Sequence, residues 1–83
     1  MTPDVIKVKP LHDYCIEVLF EDGQLRIFDM KPYLEYPAFS SLISKNLFMK
    51  VHVAFGTVAW NDEIDISPDT IYLSDRSSIH DCA

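Results

Sequence analysis

The sequence predicts a small α+β domain: a mostly antiparallel sheet of about five strands, with roughly two or three short helices. Two tight-turn signals, Asp22-Gly23 and Phe55-Gly56, each lie between apolar stretches of strand length and therefore indicate two hairpins. A further alternating stretch precedes the first hairpin. Prolines interrupt the segment between the hairpins, so only short helices fit there.

The first strand is predicted over residues 5–9, because lysines alternate with apolar residues there until Pro10 ends the strand. The first hairpin follows, with arms over residues 14–20 and 25–29. A two-residue turn at Asp22-Gly23 places on one face of this hairpin Ile16, Val18, Phe20, Leu25 and Ile27. The same turn places on the other face Glu17, Leu19, Arg26 and Phe28.

The second of these faces is too apolar to lie in water, because it carries Leu19 and Phe28. A helix or the other hairpin packed over it is one explanation. The other explanation is a surface for self-association, as in a homodimer, or for a partner protein. The candidate partner face is then Glu17, Leu19, Arg26 and Phe28.

Short helical turns are predicted between the hairpins. Asp29 is predicted to cap a turn that reaches Leu34. A short helix is predicted over residues 38–43, and Asn46 is predicted to begin a last turn. The residues that these turns would place in the core are Phe39, Leu42 and Phe48.

The second hairpin is predicted over residues 51–60. A turn at Phe55-Gly56 places Val53 opposite Val58, and its glycine supplies the positive φ that a tight turn needs. A turn at Gly56-Thr57, which would pair Val53 with Trp60, is the alternative. In either register Trp60 faces the centre of the core.

The last helix is predicted to begin after Ser67, whose hydroxyl can accept a hydrogen bond from an otherwise unpaired amide. Pro68 suits the first helical position, and Asp69 complements the helix dipole. Residues 74–83 are polar and lack a period, so we expect a tail there. The whole chain is predicted to be one domain, with a compact core over about residues 4–73.

The formal net charge is −6, from 13 acidic and 7 basic residues. The basic residues are dispersed, which argues against direct binding of nucleic acid, because phosphate recognition needs clustered Lys and Arg. An acidic surface suits solubility or a basic protein partner. No apolar run approaches the ~20 residues of a membrane helix, and no signal peptide is visible. We therefore expect a cytoplasmic protein without a membrane partner.

Both cysteines are predicted to be free thiols in a reducing compartment. Cys15 lies inside a predicted strand, whereas Cys82 lies in the predicted tail. A central strand and a tail are poor candidates for the two ends of one disulfide.

No constellation of residues indicates catalysis, a metal or a cofactor, so the sequence leans away from an enzyme. The acidic cluster Asp62, Glu63, Asp65 and Asp69 lacks calcium-loop spacing, and we expect it to solvate a turn and a helix start. His80 and Cys82 resemble half of a zinc site, but companion ligands are lacking, so we expect a tail histidine and a tail thiol. No nucleophile elbow or glycine-rich phosphate loop is present, and a buried Cys15 is more often inert than catalytic.

Three motifs occur in order along the chain: F-x-D-G ending at Gly23, G-T-V-x-W ending at Trp60, and D-I-x-P-D-x-x-Y ending at Tyr72. With Asp29 and Phe48 between them, they resemble a family of small bacterial domains called domain of unknown function 2442. The resemblance covers roughly residues 5–73. The chain departs from the family at residues 61–63, where relatives commonly carry a turn of the Pro-Asn-Gly type.

The resemblance implies a small α+β domain with no established activity. Some relatives resemble an N-terminal partner of a helix-turn-helix domain. Others are encoded beside a second small protein, which implies an arrangement similar to a toxin–antitoxin pair. No helix-turn-helix follows in this sequence, so the DNA-binding implication does not transfer, and the family has no catalytic residues to transfer.

The leading hypothesis is a non-catalytic interaction module that binds another protein, as the antitoxin-like or regulatory half of a pair. The alternative is a domain that binds a small ligand or metal, or an enzyme, with a pocket around Trp60, Asp62, Asp65 and Tyr72. A third hypothesis is a transcriptional accessory that acts only through a DNA-binding partner.

Overall fold

A computed structural model describes residues 2–73 of the 83-residue chain. One antiparallel sheet has the strand order β1 (Val5–Pro10), β2 (Cys15–Phe20) and β3 (Leu25–Asp29). A second antiparallel sheet has the order β4 (His52–Ala54), β5 (Thr57–Ala59) and β6 (Asp65–Ile66). The α+β class is therefore confirmed. The prediction of one sheet with about five strands is wrong, because each hairpin instead pairs with its own third strand.

A backbone hydrogen bond joins the two sheets at the turn of the second hairpin. The Val5 amide at the start of β1 donates a hydrogen bond to the Gly56 carbonyl, with an N–O distance of 2.9 Å. Beyond this point β1 pairs with β2, whereas β4 pairs with β5. The chain thus turns from one sheet to the other through the segment between β3 and β4.

The register of the first hairpin differs by one residue from the predicted register. Leu19 pairs with Leu25, and Val18 pairs with Arg26 rather than with Ile27. The loop holds three residues and ends at Gly23, whose φ of +90° is typical of a turn closed by a glycine bulge. A one-residue shift turns every side chain of a strand to the opposite face. The face assignment of β3 was therefore wrong.

The second hairpin has the predicted register. Val53 pairs with Val58 directly beside the two-residue turn. Phe55 and Gly56 both have positive φ, at +54° and +75°, as the mirror-image hairpin turns require. The interpretation that placed the turn at Phe55-Gly56 is confirmed.

The segment between the hairpins contains two 3₁₀ turns, Lys31–Tyr33 and Ser40–Ile43, followed by helix α1 (Lys45–Phe48). Met30 rather than Asp29 occupies the N-cap of the first turn. The carboxylate of Asp29 still supports this turn, because it accepts a hydrogen bond from the Lys31 amide at 2.9 Å. The predicted helix over residues 38–43 is a shorter 3₁₀ turn. Helix α1 begins after Ser44 rather than at Asn46.

Helix α2 (Pro68–Tyr72) begins as predicted. The Ser67 hydroxyl accepts a hydrogen bond from the Thr70 amide at 3.3 Å, and Asp69 lies in the first turn. The predicted tail, residues 74–83, lies outside the described residues. Within residues 2–73, no helix combines the length and apolarity needed to cross a bilayer.

Trp60 lies inside the core, with 2% of its surface exposed. Its indole N–H donates to the Phe48 carbonyl at 3.1 Å, so the buried polar atom is satisfied. Leu42 and Phe48 are buried as predicted, whereas Phe39 is half-buried against the core. The core also contains side chains from both sheets and α2, among them Ile16, Val18, Phe20, Phe28, Val58, Ile66 and Ile71.

Cys15 does not match its prediction. It is disulfide-bonded, so the prediction of a free thiol is wrong for this residue. Separation along the sequence does not decide which sulfur atoms meet in the fold. The cysteines therefore no longer support the predicted reducing compartment. Cys82 lies outside the described residues.

The two turn glycines allow a direct test of how closely Asp4, the residue before β1, approaches the turn of the second hairpin. A Cβ at residue 56 would lie 2.8 Å from Asp4 Cγ, whereas a Cβ at residue 23 would have no atom within 4 Å. Gly23→Ala carries the cost of a positive φ, about 1 kcal/mol. We expect Gly56→Ala to lower the free energy of unfolding by about 2 kcal/mol, because a clash adds to that cost. Urea denaturation measures both, and equal losses would contradict the close approach of Asp4.

Candidate functional site

The structure separates the four residues predicted as a partner face. Glu17 and Leu19 point to the outer side of the first sheet, away from the core. Phe28 is 3% exposed and points into the core. Arg26 lies on the inner side of β3, where its guanidinium carbon is 5.0 Å from the centre of the Tyr72 ring. The register of the hairpin is the cause of this separation.

Two rows of side chains define the outer face of the first sheet. Paired residues place Lys7, Leu19 and Leu25 in one row, and Lys9, Glu17 and Ile27 in the other. We call these six residues the outer face. Leu25 is 53% exposed, and Leu19 and Ile27 are half-buried.

A depression of about 300 Å³ lies on this face between β1 and the hairpin. Lys7 and Lys9 form its border, and Lys9 Nζ lies 3.7 Å from Glu17 Oε1 in an exposed ion pair. Such a pair contributes little stability in water. Because two lysines outnumber the one glutamate, the local charge of this border is positive, although the chain as a whole is acidic.

The residues predicted as a pocket are also separated. Trp60 lies in the core, and Tyr72 lies on α2 beside the turn of the first hairpin. Asp62 and Asp65 are exposed and line one groove of about 270 Å³ on the outer side of the second sheet. The complete groove lining is His52, Ala54, Phe55, Thr57, Ala59, Asn61, Asp62 and Asp65.

The turn before β6 is organised by Asn61. Its side-chain oxygen accepts hydrogen bonds from the amides of Glu63 and Ile64, both at 2.8 Å. An asparagine that bonds its own following backbone forms a turn that needs no glycine. This turn holds Asp62 and Glu63 in solvent, as expected from the sequence. Among residues 2–73, no group of three or more His, Cys, Asp or Glu side chains could hold a metal ion.

A polar cluster joins α2 to the first hairpin. The Tyr72 hydroxyl donates to Asp22 Oδ2 at 2.6 Å, and the Phe20 ring lies edge-on to Tyr72 with centroids 4.9 Å apart. The hydrogen bond from Tyr72, with another from the Gln24 amide, lowers the pKa of Asp22. The same carboxylate raises the pKa of Tyr72. The cluster links α2 to the turn of the first hairpin through exposed side chains.

A second depression, of about 270 Å³, lies between the loop before β2 and helix α1. Asp13 and Tyr14 both have positive φ in this loop, at +57° and +62°. The Tyr14 hydroxyl donates to the Ile43 carbonyl at 2.6 Å, which holds the loop against the 3₁₀ turn. The complete lining is Leu11, His12, Asp13, Tyr14, Lys45, Phe48 and Met49. No sequence signal indicates this loop, because neither residue type requires a positive φ.

A family model described as "Protein of unknown function (DUF2442)" matches residues 5–77. The chain belongs to the DUF2442 family. The resemblance drawn from the three motifs is thereby confirmed. No curated protein and no solved structure matches the chain. Membership in DUF2442 therefore brings neither an activity nor a set of functional residues.

The residues that mark this chain as a DUF2442 protein have structural roles. Gly23 and Gly56 form the two turns, and Asp29 is a buried carboxylate whose partners are the Lys31 amide and ammonium. Trp60 fills the core. The motifs therefore account for the fold and leave the outer surfaces of both sheets unexplained.

Tyr72→Phe tests the polar cluster without removing the aromatic ring. The raised pKa of Tyr72 means that its contribution is complete below the ordinary tyrosine value and is lost as pH rises through the raised pKa. The lowered pKa of Asp22 means that its contribution is complete above the ordinary aspartate value and is lost as pH falls through the lowered pKa. We expect wild type to melt at a higher temperature than Tyr72→Phe between about pH 5 and about pH 9, with a smaller difference outside that window.

Tyr33→Phe is the matched control for this pH series. It also removes a hydroxyl from a half-buried tyrosine whose ring contacts Phe28, Tyr36 and Phe39. Among residues 2–73, that hydroxyl has no hydrogen-bond partner. The difference in melting temperature between wild type and Tyr33→Phe should not vary with pH in this way. A constant difference between wild type and Tyr72→Phe from acid to alkaline pH would contradict the assigned hydrogen bond.

Proposed function

We propose that this DUF2442 chain is a non-catalytic protein-binding module whose partner docks on the outer face of the first sheet. One observation carries the proposal: Leu25 stands 53% exposed beside Leu19 and Ile27 on the side of the sheet opposite the core. Antiparallel sheets commonly leave one side in water, but that side is then mainly polar. An apolar centre with a charged border is typical of a protein interface.

The charges of the face favour one kind of partner. Two lysines and one glutamate border the apolar centre, so a complementary surface presents apolar side chains flanked by carboxylates. In a symmetric contact between two copies, Lys7 and Lys9 would be brought towards identical lysines, which costs free energy. The occupant that we propose is therefore a different protein, acting as the other half of a two-protein pair, as the resemblance implies.

Leu25→Glu tests the proposed interface. We expect a partner that co-purifies with wild type from native extract to be lost with Leu25→Glu, because a carboxylate on the apolar centre must be desolvated. Ile43→Glu is the matched control, since Ile43 is 57% exposed but lies on the 3₁₀ turn before α1. Circular dichroism should show that both variants remain folded.

The location of the partner contact is then checked by amide hydrogen exchange. Protection in the complex should fall on β2 and β3, because these strands carry the apolar centre. Protection only elsewhere, or equal loss of the partner with both glutamate variants, would contradict the proposal. A concentration-dependent dimer that disappears with Leu25→Glu would show that the occupant is a second copy instead.

A second candidate function is the binding of a small ligand between the loop before β2 and α1. The supporting observation is that two consecutive residues other than glycine, Asp13 and Tyr14, have positive φ at the border of the depression. Such strain is concentrated at functional sites. The exposed Lys45 and the apolar lining favour an anion with an apolar part.

A thermal-shift series with anionic metabolites tests this second function. A ligand that binds the native state at one hundred times its dissociation constant stabilises that state by about 2.7 kcal/mol. We expect the resulting rise in melting temperature to shrink with Lys45→Ala and to persist with Lys50→Ala, a change of an exposed lysine outside the depression. An identical rise in both variants would exclude Lys45 from the site.

A further inference from the structure

Phe55 is the most exposed apolar residue among those described, and its ring is fully accessible at the tip of the β4–β5 hairpin. Its φ of +54° lies in the region that Asn, Asp and Gly tolerate and that other residues rarely adopt. Asn-Gly is the favoured dipeptide for such a turn. A phenylalanine at this position therefore stabilises neither the core nor the turn of its own chain.

The Phe55 ring borders the groove on the outer side of the second sheet. The floor of the groove is formed by small side chains, Ala54, Thr57 and Ala59, which leave room for a long side chain. Asp62 and Asp65 supply carboxylates on the same lining. Among residues 2–73, neither carboxylate has a cationic partner within 4.0 Å. The groove thus combines an exposed aromatic ring with two unneutralised anions.

We propose that this groove binds an arginine side chain of a basic segment in a protein partner. A guanidinium is planar, stacks on aromatic rings and forms paired hydrogen bonds with carboxylates. The net charge of −6 attracts such a segment over a longer range. This groove would be a second contact with a protein partner, so the inference deepens the proposed function. It rests on that function only in assigning the arginine to a protein.

Binding of fluorescein-labelled nonaarginine and nonalysine, measured by fluorescence anisotropy at about 0.15 M salt, tests the groove directly. We expect nonaarginine to bind wild type at least about tenfold more tightly than nonalysine. Asp65→Asn should weaken nonaarginine binding about tenfold, whereas Glu35→Gln, an equal change of charge on an exposed residue outside the groove, should not. Equal effects of the two variants, or equal binding of the two peptides, would show attraction by diffuse charge alone and would overturn the proposal.

Phe55→Asn separates recognition from stability, because it should weaken peptide binding without lowering the melting temperature. The melting temperature should be unchanged or higher, since asparagine suits the turn. Binding of nonaarginine should weaken by about threefold or more, since the ring is lost. Unchanged binding by this variant would refute a stacking role for Phe55. Leu25→Glu, which disrupts the proposed interface on the first sheet, should leave nonaarginine binding intact. The groove and that interface can therefore fail their tests independently.

Discussion

The buried indole of Trp60 connects parts of the chain that are distant in sequence. Its N–H bonds to the carbonyl of Phe48, so the second sheet is joined to α1 by a directed contact as well as by packing. The Phe48 ring lies edge-on to Tyr14, with centroids 5.3 Å apart, and Tyr14 in turn bonds to the backbone of Ile43. The strained loop, the 3₁₀ turn, α1 and the second sheet thus share one aromatic centre. A buried donor costs free energy unless it finds an acceptor, which makes this arrangement specific rather than merely apolar.

The core uses neither the outer face of the first sheet nor the groove on the second sheet. The apolar residues that the fold needs point inward from both sheets, and the family motifs supply the turns, the cap and the tryptophan. What remains outside is of two kinds: an apolar centre bordered by lysines on the first sheet, and an aromatic ring beside carboxylates on the second. Two surfaces of different character on a small chain suit a protein that contacts others. Neither surface needs the chain to change shape.

The elements that could be predicted are those fixed by local chemistry. The start of α2 follows from Ser67 and Pro68, and the register of the second hairpin follows from Gly56 with valines on either side. The first hairpin shows the limit of this approach. Asp22-Gly23 fits a loop of two residues and also a loop of three. In addition, β3 carries apolar residues on both faces, with Leu25 and Ile27 on one and Phe28 on the other. Local sequence could not choose between the registers, so the candidate partner face was assembled incorrectly.

The surfaces were harder to predict, because they depend on contacts between distant residues. Asp62 and Asp65 share a groove as their spacing suggests, but Trp60 and Tyr72 take separate positions set by the core and by Asp22. The division into two sheets is likewise a long-range outcome. The positive φ values of Tyr14 and Phe55 have no signature in residue type, whereas Asp13 is of a type that tolerates positive φ.

The contact between Tyr72 and Asp22 spans 50 residues, whereas each hairpin closes over a few. Closing a long loop costs more chain entropy than closing a turn, so local pairings lead in folding and distant ones follow. We therefore expect α2 to dock onto the first hairpin after the kinetic barrier has been crossed. Contacts formed after the barrier govern how fast a protein opens rather than how fast it folds. Loss of the contact between Tyr72 and Asp22 is therefore expected to speed unfolding more than it slows folding.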